Sequence, residues 1–174
     1  MEEFYARAKL IKLIVFDVDG VLTDGSLYLG DDGQEYKAFN SLDGHGMKML
    51  KRSGVELAII TGRTSRVVAQ RAVNLGIAHL YQGVEDKLAA WQDLLGKLGL
   101  EAEACAFMGD DVIDLPAMRR SGLAISVPAA PAAVRQRAHY VTSQGGGRGA
   151  VREVCELIMQ AQGTLDAQLA PYLE

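Results

Sequence analysis

The chain has 174 residues, of which 49% are apolar and 23% charged, and its formal net charge at pH 7 is -4. A chain of this length can bury a substantial single core, and its ordinary composition without low-complexity stretches excludes a disordered protein. The acidic balance argues against a nucleic-acid surface, because proteins that bind phosphate backbones normally present a basic face.

The sequence predicts neither a signal peptide nor a membrane helix. The first residues, "MEEFYARAKLIK", are acidic where a signal peptide needs positive charge, and no apolar run reaches the ~18 residues of a membrane helix. Cys105 and Cys155 lie far apart in apolar surroundings, which is typical of buried thiols in a reducing compartment. We therefore expect a cytoplasmic protein that binds no membrane.

Apolar runs of strand length alternate with amphipathic helical patterns along the chain. The predicted strands are residues 13–16, 57–60, 79–81, 105–108, 123–127 and 140–141. The predicted helices are residues 46–52, 65–75, 87–98, 113–120, 132–137 and 150–160, several of them closed by a left-handed glycine at Gly54, Gly76, Gly99 or Gly122. This alternation predicts a Rossmann-like three-layer α/β/α fold with a parallel sheet.

One segment departs from the alternation. Residues 26–40, "SLYLGDDGQEYKAFN", predict two short strands around Gly-Asp-Asp-Gly, which is a β-hairpin. Its apolar side chains exceed what a free hairpin leaves in water, so we expect it to pack on another surface. No linker divides residues 1–174, which we interpret as one domain with a flexible tail at residues 163–174.

Polar residues follow the predicted strands where ligands bind in open α/β sheets, beyond the carboxyl ends. They are Asp17 and Asp19 after the first strand, Thr61, Gly62 and Arg63 after the second, Lys87 after the third, and Asp110, Asp111 and Asp114 after the fourth. Carboxylates gathered in one crevice repel each other unless a cation lies among them. Mg²⁺ fits, since it prefers hard oxygen ligands such as Asp17, Asp110 and a main-chain carbonyl.

An aspartate in such a site can attack phosphorus. Asp17 would form an aspartyl-phosphate, while Thr61 and Lys87 hold the equatorial oxygens of the phosphoryl group. Taken singly, some of these residues have plainer interpretations. Asp111 and Asp43 could be helix N-caps, Thr61 a cap and Lys87 a surface lysine. His45, in "LDGHG", could be a substrate ligand or an ordinary turn residue, and Thr23 and Asp24 have no derived role beyond loop hydrogen bonds.

Together, "DVDGVLTD", "IITGR", Lys87 and "GDDVID" resemble the four motifs of the haloacid dehalogenase superfamily of phosphohydrolases. The resemblance implies that Asp17 is the nucleophile and that Asp19 protonates the leaving oxygen and later activates water. It implies that Thr61 and Lys87 bind the phosphoryl group. Mg²⁺ would be held by Asp110, the Asp17 carboxylate and the Asp19 main-chain carbonyl. Asp111 and Asp114 would support these ligands without contacting the metal themselves.

Many members of this superfamily carry a cap domain, for which neither gap between the motifs has room here. An open site gives little grip on a small substrate, so either a large substrate or a neighbouring subunit must cover it. The apolar hairpin favours a neighbouring subunit, and hence a ring-like homo-oligomer. We expect Gly62, Arg63, Arg66 and Arg148, the last from "GGGRGA", to contact an anionic substrate.

Further stretches, including "FNSLDGHGMKML", "LGIAHLYQG" and "AHYVTSQGGGRGAVREV", extend the resemblance over nearly the whole chain. They are similar to the capless phosphatases of 3-deoxy-D-manno-octulosonate 8-phosphate. That family implies a cytoplasmic homotetramer, assembled through the hairpins, that releases phosphate and a sugar acid used for lipopolysaccharide.

The sequence is also compatible with other functions. The substrate could instead be a nine-carbon sugar acid phosphate, another sugar phosphate or a phosphoprotein, or the chain could be a silent structural subunit. A non-enzymatic receiver domain also uses clustered aspartates, Mg²⁺, a Thr and a Lys. Asp19 argues against a receiver, because an acid/base two residues beyond the acceptor is what turns a phosphoacceptor into a phosphatase.

Overall fold

The computed structural model describes all 174 residues. Six parallel strands form one sheet in the order β5-β4-β1-β6-β7-β8, and β2 and β3 form a separate antiparallel hairpin. The strands are β1 Leu13–Phe16, β2 Tyr28–Leu29, β3 Glu35–Tyr36, β4 Glu56–Ile60, β5 His79–Tyr81, β6 Cys105–Met108, β7 Leu123–Ser126 and β8 Tyr140–Val141. The α/β fold class predicted from the sequence is therefore confirmed.

Helices cover both faces of the sheet. They are α1 Glu2–Ala8, α2 Ser41–Arg52, α3 Arg66–Leu75, α4 Lys87–Leu98, α5 Leu115–Met118, α6 Ala132–Arg135, α7 Ala150–Ala161 and α8 Leu165–Leu169. Because parallel crossovers are right-handed, α2 and α3 lie on one face and α4, α5 and α6 on the other. None of these helices is both long and apolar enough to span a bilayer.

The core is centred on β1 and its two neighbours. Every residue of β1 is fully buried, and its register pairs Val15 with Ala58 of β4 and with Phe107 of β6. A strand covered on both faces is expected to be apolar throughout, which explains the uninterrupted sequence "LIVF". The chain leaves β1 towards β4 but leaves β6 towards β7, so a crevice opens between the carboxyl ends of β1 and β6.

Helix α2 begins five residues earlier than the sequence analysis predicted. The Asn40 side chain accepts a hydrogen bond from the Asp43 N–H at 3.0 Å and caps the helix at Ser41. Gly44 and Gly46 lie inside the helix because neighbours approach closely. A Cβ on Gly46 would lie 2.7 Å from Arg152 Cδ of α7, so these glycines permit packing and do not break the helix.

Gly76 and Gly99 end α3 and α4 in the left-handed conformation, and Gly54 has a positive φ just after α2, as predicted. Gly122 differs. It has no positive φ, and a Cβ there would lie 2.2 Å from the Glu103 carbonyl oxygen, so this glycine serves a close approach of two chain segments. The helix predicted at residues 113–120 is a short 3-10 turn, Val112–Asp114, followed by α5.

Both chain ends contain short helices that the sequence did not predict. Helix α1 was not predicted, although it buries Phe4 and Ala8. Within residues 163–174, the predicted flexible tail, α8 packs Leu165 and Leu169 against the core. The spacing of these two leucines, one helical turn apart, explains why this short segment is helical.

Candidate active site

The site lies at the carboxyl ends of β1, β4 and β6. The Asp17 N–H donates to Met108 O at 3.0 Å, which continues the pairing of β1 with β6 beyond the strand ends. The Thr61 N–H donates to Tyr81 O at 2.9 Å, and this hydrogen bond likewise continues the pairing of β4 with β5 beyond the strand ends. The strand-end residues of separate motifs are thereby brought to one edge of the sheet, as predicted.

Three carboxylates converge there. Oxygens of Asp17, Asp110 and Asp114 all lie within 4.8 Å of one another. A Cβ on Gly20 would lie 1.9 Å from Asp110 Oδ2, and Gly20 has a φ of +89°. Only glycine therefore lets the loop after β1 pass over the Asp110 carboxylate.

The electrostatics of the cluster favour a cation. Burial, together with the charge of Asp114, raises the pKa of Asp17 to about 6 although Lys87 opposes the shift. Burial and the charges of Asp17 and Asp114 raise the pKa of Asp110 to about 8. Carboxylates that resist ionisation in this way are stabilised by a divalent ion, and an all-oxygen donor set is the chemistry that Mg²⁺ prefers. The residues present thus fit Mg²⁺.

Lys87, the first residue of α4, connects the nucleophile candidate to the rest of the cluster. Its Nζ atom lies 2.9 Å from Asp17 Oδ1 and 2.6 Å from Asp114 Oδ1, and its side chain is 1% exposed. Burial alone would lower the pKa of Lys87, but the two carboxylates raise it above its ordinary value. The interpretation of Lys87 as a solvated surface lysine is therefore wrong, and a fixed ammonium charge borders the site.

Asp114 and Asp111 have different surroundings. Asp114 is fully buried, and its Oδ2 accepts hydrogen bonds from the backbone N–H groups of Asp110 and Asp111 at 3.0 and 3.1 Å. The Asp111 side chain is exposed and accepts from the Val112 N–H at 2.7 Å, which is the cap role considered from the sequence. Asp114 fixes the loop that carries Asp110, whereas Asp111 lies outside the carboxylate cluster.

Asp19 lies outside that cluster as well and faces the hairpin. Its Oδ1 lies 2.6 Å from Nζ of Lys37, a residue that the sequence analysis did not single out. Lys37 also contacts Glu35 Oε1 at 2.7 Å, and Glu35 Oε2 lies 3.4 Å from Arg63 Nη2. No sequence signal identifies Lys37, because a lysine at the end of a hairpin strand is ordinarily solvated.

The phosphoryl and substrate residues predicted after β4 are also at this edge. Thr61 is 2% exposed, and its hydroxyl makes no hydrogen bond within the protein. Gly62 follows it, and a Cβ there would lie 3.5 Å from Val84 O, so no close approach requires glycine. Arg66 lines a cavity of about 520 Å³ between the hairpin and the start of α3, together with Glu35 and Ser65.

The glycine-rich loop before α7 packs on the loop after β1. A Cβ on Gly146 would lie 1.8 Å from Gly20 O, and the Gly147 N–H donates to Val21 O at 3.0 Å. The N–H groups of Gly147 and Arg148 are therefore bonded within the protein, the latter to Gly145 O at 3.0 Å. Arg148 is 72% exposed and its Nη2 lies 3.4 Å from Asp24 Oδ2.

The remaining candidates have structural contacts. Thr23 Oγ1 accepts hydrogen bonds from the N–H groups of Gly20 and Gly25 at 3.3 and 3.2 Å, so it holds the loop after β1 in shape. Asp43 is buried and accepts from the N–H of Arg152 in α7 at 2.8 Å. His45 lies in α2 rather than in a turn, with its ring 5.5 Å from that of Tyr172.

Comparison with known proteins places the chain in a family. The sequence model of the haloacid dehalogenase-like hydrolases matches residues 27–122. The 3-deoxy-D-manno-octulosonate 8-phosphate phosphatase of Escherichia coli is 52% identical over 161 residues, which cover 92% of this chain and 86% of that protein.

Solved structures of the same enzyme from other bacteria are similar. The Moraxella catarrhalis phosphatase, crystallised with magnesium, phosphate and KDO, has a TM-score of 0.97 at 50% identity, covering 99% of each chain. The cobalt-bound Haemophilus influenzae phosphatase has a TM-score of 0.90 at 39% identity, covering 92% of this chain and 94% of that one. The chain therefore belongs to the haloacid dehalogenase-like hydrolases and, among them, to the 3-deoxy-D-manno-octulosonate 8-phosphate phosphatase family.

Proposed function

We propose that the chain is a Mg²⁺-dependent phosphomonoesterase that converts 3-deoxy-D-manno-octulosonate 8-phosphate (KDO 8-phosphate) to KDO and phosphate, a step towards lipopolysaccharide. The observation that carries the chemistry is the cluster of Asp17, Asp110 and Asp114 with Lys87 at its edge. The KDO and phosphate bound to the Moraxella catarrhalis relative support the choice of substrate.

In the first step, an Asp17 carboxylate oxygen attacks phosphorus and the bond from phosphorus to the sugar oxygen breaks. Asp19 donates its proton to that leaving oxygen, which departs as the hydroxyl of KDO. The buried ammonium of Lys87 stabilises the charge on the phosphoryl oxygens, and the unpaired hydroxyl of Thr61 is available to donate to one of them. Mg²⁺, held by Asp17, Asp110 and the Asp19 main-chain carbonyl, supplies further charge neutralisation.

In the second step, the Asp19 carboxylate takes a proton from water, and the water oxygen attacks the phosphorus of the aspartyl-phosphate. The bond between Asp17 and phosphorus breaks, which releases inorganic phosphate and restores both aspartates. Asp19 thus acts first as acid and then as base. The site is suited to this sequence because Asp17 and Asp19 follow the same strand but lie in different surroundings.

The substrate carries a carboxylate besides its phosphate, and basic residues lie at a suitable place for it. Arg63 and Arg66 flank the start of α3, next to the cavity between that helix and the hairpin. Gly62 leaves the adjacent backbone accessible. The Arg148 guanidinium instead contacts Asp24. We propose that Arg148 binds substrate either in the site of a neighbouring subunit or after its contact with Asp24 has broken.

We further propose a homotetramer in which hairpins make the subunit contacts and a neighbour covers each site. The support is the exposed apolar surface of the hairpin, where Leu29 is 68% and Tyr36 58% exposed. Two antiparallel strands of two residues each bury too little to be stable alone. We place the reaction in the cytoplasm, in keeping with the family and with two buried, unpaired cysteines.

Phosphate release tests this proposal. The purified protein is assayed on KDO 8-phosphate, on nine-carbon sugar acid 9-phosphates and on simple sugar phosphates, each with Mg²⁺ and with chelator. We expect the largest kcat/KM on KDO 8-phosphate and none with chelator. Preference for a nine-carbon substrate would overturn the substrate but keep the chemistry, and metal-independent release would overturn both. The Asp17→Asn variant controls for contaminating phosphatase.

A further inference from the structure

The ion pair between Lys37 and Asp19 connects the hairpin to the reaction itself. We propose that Lys37 is a positioning residue that orients the Asp19 carboxylate for proton transfer. This inference rests on the proposed function, since it concerns the residue assigned as acid and base. It gives the hairpin a part in catalysis besides any part in subunit contacts.

Lys37 is the protein group that holds the Asp19 side chain. Its Nζ lies 2.6 Å from Asp19 Oδ1, and no other protein group hydrogen-bonds to that carboxylate. Asp19 lies in the irregular loop after β1, where the backbone does not restrain the side chain as a helix or strand would. With Oδ1 bound to Lys37, the side-chain rotation is fixed and Oδ2 is left for the proton that is transferred.

Lys37 is itself held in place. Its side chain is only 1% exposed, and a second carboxylate, Glu35, contacts Nζ at 2.7 Å. Glu35 in turn contacts Arg63 at 3.4 Å, so the loops after β1 and β4 are joined through the hairpin. Burying a lysine ammonium is costly unless carboxylates compensate it, and here two do.

Two carboxylates, those of Asp19 and Glu35, face the Lys37 ammonium at 2.6 and 2.7 Å and balance its charge. Burial distinguishes positioning from substrate binding. A side chain that is 1% exposed has almost no surface left for a ligand, and its ammonium already donates to Asp19 and lies 2.7 Å from Glu35 Oε1.

A leaving-group comparison tests this role. Phenyl phosphate and 4-nitrophenyl phosphate have nearly the same size, but phenolate is the more basic leaving group and depends more on protonation by Asp19. Because kcat/KM reports the steps up to departure of the leaving group, hydrolysis of the phosphoenzyme does not enter it. Neither compound carries the sugar acid, so the comparison does not depend on which natural substrate is correct.

We expect Lys37→Met to lower kcat/KM for phenyl phosphate at least threefold more than for 4-nitrophenyl phosphate, a part of the roughly 10²- to 10⁴-fold that a general acid contributes. Asp19→Asn should show the same signature more strongly. Adding Lys37→Met to Asp19→Asn should change kcat/KM little further, since the effects of two substitutions are not additive when one residue acts through the other. Lys37→Arg should restore most of the loss because it keeps the charge, and Lys48→Met, at an exposed lysine of α2, should have no effect.

Equal losses on the two aryl phosphates would overturn the inference, as would full additivity of Lys37→Met and Asp19→Asn. A raised KM for KDO 8-phosphate with unchanged aryl phosphate kinetics would make Lys37 a substrate contact and also overturn it. Glu35→Gln, which leaves Lys37 in place with one partner fewer, provides a second measurement if Lys37→Met folds poorly. Its selectivity should shift in the same direction by a smaller factor.

Discussion

The Nζ atom of Lys87 lies 2.6 Å from Oδ1 of the fully buried Asp114 carboxylate. Because the other oxygen of Asp114 accepts hydrogen bonds from two backbone N–H groups of the loop that carries Asp110, one carboxylate fixes both Lys87, which we propose binds the phosphoryl group, and the loop of Asp110, a proposed metal ligand. Asp114 therefore links the third and fourth motifs physically, and its role is structural support of the chemistry rather than contact with substrate.

Replacing Asp114 tests this link. In saturating Mg²⁺, where repulsion among the carboxylates is compensated, Asp114→Asn should lower the free energy of unfolding by about 3 kcal/mol, because it breaks a buried ion pair. The kcat should fall as Lys87 loses its second anchor. Urea denaturation and steady-state kinetics measure the two effects.

Asp111→Asn is the matched control for Asp114→Asn. Asp111 is exposed and caps the Val112 N–H, and asparagine caps about as well as aspartate, so a change within about 0.5 kcal/mol is expected. Equal destabilisation by the two variants would contradict the separate roles assigned to Asp111 and Asp114.

The raised pKa values of Asp17, about 6, and Asp110, about 8, predict a pH dependence of the metal-free protein. Since both folded-state values lie above the ordinary value of 3.8, the folded state binds more protons than the unfolded state between about pH 4 and pH 8. Stability without metal should therefore fall as the pH rises through this range. Thermal unfolding in chelator measures it.

Mg²⁺ should reverse this trend. Metal binding requires ionised carboxylates, so Mg²⁺ affinity should rise with pH up to about 8, and the stabilisation by Mg²⁺ should be larger at pH 8 than at pH 6. Asp110→Asn removes one ligand and should abolish most of the Mg²⁺ effect. A Mg²⁺ stabilisation that does not change with pH would contradict the assignment of these carboxylates as the metal site.

Much of this site could be predicted from sequence because its residues follow apolar runs. The bounds of β1, β5, β6 and α4 agree with the predicted ranges, and strand ends position Asp17 and Asp110. Contacts between distant segments could not be predicted. Lys37 contacts Asp19 only because the hairpin folds back over the loop after β1. From sequence, Gly46 is expected to break a helix, whereas the structure shows that it lets α7 pack closely against α2.

The glycine-rich loop illustrates the same limit. From sequence, Arg148 of this loop was expected to contact an anion, but the sequence did not predict that Gly146 permits close contact with Gly20, which itself covers Asp110. Gly146→Ala should push the loop after β1 away, costing about 1–3 kcal/mol and lowering kcat. Gly96→Ala in α4, where nothing lies within 4 Å, should instead stabilise by about 0.5–1 kcal/mol. Thermal unfolding and steady-state kinetics of both variants measure these effects. An unchanged kcat for Gly146→Ala would show that the contact between Gly146 and Gly20 does not hold the active-site loop in place.

Light scattering tests the proposed assembly. The wild-type protein should have the mass of a tetramer, and Leu29→Glu on the hairpin should give smaller species with lower activity, because each site loses its cover. Val73→Glu, at a more exposed apolar residue of α3, is the control and should leave the tetramer intact. A wild-type monomer, or a tetramer that survives Leu29→Glu, would count against the hairpin as the subunit contact.

The proposed mechanism requires that Asp17 carries the phosphoryl group. The most direct measurement is an acid quench during turnover, followed by borohydride reduction and peptide mass spectrometry. Reduction converts an aspartyl-phosphate to homoserine, which we predict at position 17 alone and only when substrate and Mg²⁺ are both present. Homoserine at another aspartate, or continued turnover by Asp17→Asn, would contradict the mechanism.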